Sequence, residues 1–105
     1  LLKISVDSLE YVPVQVTALK SGVPYNPTSD MVQMAFAAGT VTTTPSNLTF
    51  NTASWDTSSS AYYALCLIGP NGGTQQLTAG YWTVFVQVGD SPEVPVKLAG
   101  QILMY

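Results

Sequence analysis

The sequence predicts an all-β protein, one antiparallel sandwich built from residues 1–105 as a single domain. Three observations carry that reading. Trp82, Val84, Val86 and Val88 recur at every second position shortly after Gly80, the period of a strand with one face buried. No segment longer than eight residues has helical periodicity free of proline, glycine or a β-branched cluster. Finally, clusters of turn-forming residues divide the chain into about seven short apolar segments.

The segments follow in order. Residues 2–6 read as a short strand. In residues 9–20, Val12, Val14, Val16 and Ala18 alternate with Pro13, Gln15 and Thr17. Because Pro13 cannot donate to a ladder, this strand lies at an edge or starts at the proline. A glycine and two prolines in residues 21–27 mark a turn and an extended connection. Val32, Met34 and Phe36 alternate with polar or small residues to give the next strand. Residues 38–46 are almost all Thr, Gly, Ser and Pro, a long loop or weak β-ribbon on the surface.

A brief strand is expected at residues 48–50, followed by Trp55 and a polar run at 56–60. Residues 61–68 are apolar on both faces, as suits a central strand that is covered on both sides or faces a partner. Residues 69–73, Gly-Pro-Asn-Gly-Gly, signal a hairpin or loop, with Asn71 and Gly72 suited to a type I′ turn. After the strand ending at Val88 comes a proline-stiffened loop at 89–96, and residues 98–105 are apolar enough to pair with 81–88 as the terminal strand. About seven short strands separated by turns indicate a sandwich of immunoglobulin-like type.

Composition excludes several functions. Charged residues make up 9% of the chain, against roughly 25% in an ordinary soluble domain. Mean hydropathy is +0.25, yet no apolar run approaches the roughly 18 residues of a membrane span. Sparse charge is weak protection for a monomer and ordinary for a subunit buried in an assembly. Three lysines, no arginine and no histidine leave neither phosphate neutralisation nor base reading, so no nucleic-acid partner is expected. A polybasic membrane patch fails for the same reason. Leu1, Leu2 and Lys3 do not make the apolar region of a signal peptide.

Catalytic chemistry finds no foothold. Without histidine there is no base for a serine or cysteine nucleophile, and no histidine-containing metal centre. Cys66 is the sole cysteine, so neither an intrachain disulfide nor a cysteine-based zinc site can form, and a buried, inert thiol is expected. Asp90 and Glu93 share one tight loop rather than flanking a bound sugar. With Ser91 they supply only the start of a calcium site needing 6 to 8 oxygens. The glycine-rich turn at 69–73 lacks the following helix and the Lys-Ser/Thr of a phosphate cradle. Asn47-Leu48-Thr49 matches a glycosylation triplet, which arises by chance in a threonine-rich chain. No catalytic, cofactor-binding or metal-binding residue is therefore assigned, and the chain is not expected to be an enzyme.

What remains is surface. If Trp82, Val84, Val86 and Val88 point inward, together with one of Tyr62 or Tyr63, then Tyr81, Phe85, Leu103 and Tyr105 point outward as an apolar strip. In so uncharged a chain these four residues are the expected protein interface.

Residues 22–27 (Gly-Val-Pro-Tyr-Asn-Pro) leading into 31–36, Leu77 to Gly80 before the Trp82 strand, and 91–96 (Ser-Pro-Glu-Val-Pro-Val) followed by Ala99 to Ile102 resemble small immunoglobulin-like virion proteins of tailed bacteriophages. The pattern is also similar to the N-terminal domain of the phage baseplate upper protein. The likeness spans residues 9–105, and the Pro-Glu-Val-Pro-Val loop is its most distinctive part. It implies a structural role in the virion, attached in multiple copies to capsid, neck or tail subunits, as a capsid decoration, minor capsid or head–tail connector component. The motif is one of folding, so no functional residue carries over, and the long receptor-directed extensions of baseplate proteins have no counterpart in these residues. A rival reading from another class is a carbohydrate-binding or adhesion module that uses Trp55, Tyr25 or Tyr63 as a stacking platform.

Overall fold

The computed structural model describes residues 2–17, 19–20, 22–24, 26–57, 61–70, 72–73, 75–89 and 96–105. Among these residues ten strands follow one another: β1 (Leu2–Ile4), β2 (Glu10–Val16), β3 (Leu19–Lys20), β4 (Val23–Pro24), β5 (Met31–Ala38), β6 (Asn51–Thr52), β7 (Ser54–Asp56), β8 (Tyr62–Ile68), β9 (Gly80–Gly89) and β10 (Val96–Met104). No helix occurs among the described residues. One sheet has the order β1-β10-β9-β5-β6 and the other β2-β8-β7, with β3 and β4 forming a separate two-stranded ribbon. Every pair of neighbouring strands is antiparallel except β1 and β10, which run parallel.

Alternation builds the core as expected. Val84 and Val86 of β9 join Val32, Met34 and Phe36 of β5, Ile102 and Met104 of β10 and Ile4 of β1 in one buried cluster with Val12, Ala64, Cys66 and Ile68 of the second sheet. Trp55, Trp82 and Val88 pack against it while partly exposed. Fully burying an aliphatic side chain of this size contributes about 1.5–3 kcal/mol, so this two-layer cluster is the principal source of stability. On β8 the even-numbered residues face the core, which places Tyr62 rather than Tyr63 on the inner side. Pro13 lies in β2, an edge strand of the three-stranded sheet, where its missing N–H is tolerated.

Some elements differ from expectation. Residues 48–50 form no strand; β6 begins at Asn51, where Asn51 pairs with Met34 and Thr52 with Gln33. The connection at 21–27 contains part of a tight ribbon, Lys20 opposite Val23 with Gly22 at φ +78° in the turn. Three of the additional strands, β3, β4 and β7, are only two or three residues long, too short to produce a readable period. Residues 69–73 do not close a hairpin, because β8 and β9 belong to different sheets. The chain crosses between layers there, pinned by the Gly69 N–H donating to the Gln75 carbonyl at 3.0 Å.

Candidate interaction surface

The outer face of the five-stranded sheet carries three of the four expected interface residues. Tyr81 of β9 and Leu103 of β10 are direct cross-strand partners, and Tyr105 follows at the next position on the same side. Tyr81 is 50% and Tyr105 64% exposed; Leu103 is half-buried. Their backbones are held firmly. The Gly39 N–H donates to the Tyr81 carbonyl (2.7 Å), the Tyr105 N–H donates to the Ile4 carbonyl (3.0 Å), and the Val6 N–H donates to the Tyr105 carbonyl (2.8 Å). Lys3, opposite Leu103 on β1, adds one cation to the patch.

Phe85 does not belong to it. The side chain points to the outer face as alternation requires, but it is 0% exposed in the single chain, as are its cross-strand partner Ala35 and its strand neighbour Thr83. The outer face is not bare beside it, at Thr83. After β5 the chain folds across it: the Thr83 hydroxyl donates to the Gly39 carbonyl (2.8 Å) and accepts from the Val41 N–H (3.0 Å). Alternation assigns a side chain to a face and says nothing of what covers that face.

Two further apolar surfaces escaped the sequence reading in this form. Beyond Phe85 the same outer face exposes Met31, Val96 and Leu98, with a side-chain hydrogen bond from Gln87 to Gln33 (3.1 Å) between the strands. The signal was present in the odd-numbered residues of β5 and in the apolar start of β10. The outer face of the second sheet sets Tyr11 opposite Leu67 and Pro13 opposite Leu65. Tyr11 is exposed and the two leucines are half-buried, so the outer side of β8 is only partly covered within the chain.

The two described residues of the rival stacking platform, Trp55 and Tyr63, lie on opposite faces of the second sheet. Trp55 packs against the core and donates its indole N–H to the Asp30 carbonyl (3.0 Å). Tyr63 lies half-buried on the outer face of the second sheet, and Tyr25 lies outside the described residues, as do Asp90, Ser91 and Glu93. Cys66 is buried in the core. Among the described residues no cluster of acidic residues and cysteine is placed to hold a metal ion, and no buried side-chain polar atom lacks a hydrogen-bond partner. Comparison with protein-family models, with curated proteins and with solved structures finds no match.

Proposed function

We propose that the chain is a non-enzymatic structural protein of a tailed-bacteriophage virion, a single immunoglobulin-like sandwich that docks in multiple copies onto capsid, neck or tail subunits. A capsid decoration, minor capsid or head–tail connector role suits it best. The observation that carries this reading is apolar surface left open on the outer faces of both sheets in a chain with three lysines and six acidic residues. Such surface on so uncharged a chain is characteristic of a subunit with partners.

The immunoglobulin-like part of the proposal is supported by strand order. β2-β8-β7 opposite β10-β9-β5-β6 corresponds to the two layers of that sandwich, in which the second, fifth and fourth strands face the third, sixth and seventh. The corner before β9 supports it too. Trp82 returns its N–H to the Thr78 carbonyl, the place where immunoglobulin domains carry a tyrosine bonded back to the preceding chain.

Area limits the footprint. A large aromatic buries 150–250 Å² when fully covered, so Tyr81 and Tyr105 at their observed exposures offer about 100 and 150 Å². With Phe85 already buried, the Tyr81 patch falls well short of the roughly 800 Å² per partner of a standard interface. Docking must therefore also use neighbouring strands or a second face. The test is Tyr81→Lys with Tyr105→Lys, confirmed folded by circular dichroism and offered to particles lacking the protein. Loss of re-binding is expected. Wild-type binding moves docking to another surface, and absence of the wild-type chain from purified particles by mass spectrometry overturns the virion assignment.

A further inference from the structure

Strand β5 outruns its partner. β6 pairs only with Gln33 and Met34, and residues 48–50 do not continue the ladder. Beside Phe36 to Ala38 a pocket of about 380 Å³ opens between β5, the loop through Val41 and Leu48, and Gln75 of the crossover. Every residue that lines it lies among the described residues, and none is charged. The volume is that of a small-molecule site, near the lower end of the usual range of about 300–1,000 Å³.

Two of its walls are fixed by hydrogen bonds from distant parts of the chain. The Val41 N–H donates to the Thr83 hydroxyl (3.0 Å), which sets the start of the loop. Gln75 accepts at Oε1 from the Asn51 side-chain amide (3.1 Å), and its backbone carbonyl accepts from the Gly69 N–H. The side-chain amide of Gln75 is thereby oriented with Nε2 left to donate. Among the described residues neither that nitrogen nor the side chain of Asn47 or Thr49 has a hydrogen-bond partner. Walls held in place beforehand lower the ordering cost of binding.

The lining narrows the ligand class. A charged ligand would give up its water without meeting a counter-charge. A hydrocarbon would strip water from Asn47, Thr49 and Gln75 and leave their polar groups unpaired. A nucleobase needs an aromatic face to stack on, and Phe36, the one aromatic residue in the lining, is 7% exposed. An added strand would have only residues 36–38 to pair with before meeting β6, short of the about 5–6 residues of an ordinary strand. What fits is a compact neutral ring with hydroxyls on its rim and C–H groups on its face. Each hydroxyl, like a side-chain amide, both donates and accepts, and the C–H face packs on the half-buried Val41 and Leu48.

We propose that this pocket binds one neutral sugar ring, with Gln75, Asn47 and Thr49 bonding its hydroxyls. The site is separate from the Trp55 and Tyr63 platform, and the proposal stands independently of the virion assignment.

The probes are glucose, galactose, mannose and N-acetylglucosamine, each titrated singly into the intact chain and followed by NMR amide shifts. At least one should give saturable shifts at Val41, Asn47 to Thr49 and Gln75, with an affinity in the millimolar range. Gln75→Met, confirmed folded by circular dichroism, should weaken that binding about tenfold, as befits a lost hydrogen bond. Asn47→Ala, in an exposed turn, should keep the thermal midpoint and weaken binding similarly. Cyclohexanol, a ring of the same size with a single hydroxyl, should bind about tenfold more weakly than the sugar. The proposal is overturned if none of the four sugars gives saturable shifts at high millimolar concentration, if cyclohexanol binds as tightly, or if both variants keep wild-type affinity. Shifts centred on Trp55 and Tyr63 would give sugar binding to the rival platform and overturn it equally.

Discussion

The indole N–H of Trp82 donates to the backbone carbonyl of Thr78 at 2.8 Å, tying the start of β9 to the segment that carries the chain across from the second sheet. The same side chain packs against the core while remaining partly exposed. It therefore acts both as core filler and as a latch on the crossover. Trp82→Ala should destabilise the fold by about 2–4 kcal/mol, toward or below the lower end of the range for a fully buried aromatic. Trp82→Phe keeps most of the packing and loses the hydrogen bond, at about 1 kcal/mol. Urea unfolding followed by circular dichroism separates the two, and equal losses would show that packing contributes little beyond the bond.

Thr83 offers a sharper case, since its buried hydroxyl serves two backbone groups of the loop after β5. Thr83→Val conserves shape and leaves the Gly39 carbonyl and Val41 N–H without that partner. A loss of about 1–3 kcal/mol is expected, together with faster exchange of the Val41 amide. Thr83→Ser retains the hydroxyl and should cost only the lost methyl, about 0.8 kcal/mol.

These two residues show how far the sequence was legible. The Trp82 to Val88 alternation, the strand through Val32 and Phe36, the edge position of Pro13 and the terminal strand all follow from patterns within a few residues. The bond between Thr83 and Gly39 spans 44 positions and leaves no local period. The same is true of the cover over Phe85. Strand β6 sits a few residues later than expected because its register is set by Gln33 and Met34 across the ladder, not by its own two residues. The surface was thus half readable: Tyr81, Leu103 and Tyr105 from alternation, the pocket beside Gln75 from tertiary structure alone.

Phe85 and Tyr105 should now behave oppositely, although sequence placed them on one strip. Phe85→Ala removes a wholly buried ring and should cost about 3–5 kcal/mol. Phe85→Lys should prevent folding by burying an unpaired charge. Tyr105→Lys changes an exposed terminal side chain, so stability should stay within about 0.5 kcal/mol. Thermal melts of the three variants check this, and a Phe85→Lys protein that melts like wild type would return Phe85 to the surface.

Gly69 and Gly100 share a positive φ, +132° and +135°, yet their surroundings differ. Around Gly100 a Cβ meets nothing within 4 Å, whereas at Gly69 it would collide with the Ser8 carbonyl oxygen and come within 2.9 Å of Leu9 Cα. Both obstacles are backbone, which cannot rotate aside as a side chain can. The close approach has a purpose in the fold: it packs the crossover after β8 against the segment entering β2. Gly100→Ala should therefore cost only the strained dihedral, about 1–3 kcal/mol. Gly69→Ala adds an overpacking penalty of about 1–3 kcal/mol and should also loosen the Gly69 to Gln75 bond. Denaturant midpoints of the two variants give the difference directly. Equal midpoints would show that the Ser8 to Leu9 segment yields freely and that glycine at 69 is needed for its dihedral alone.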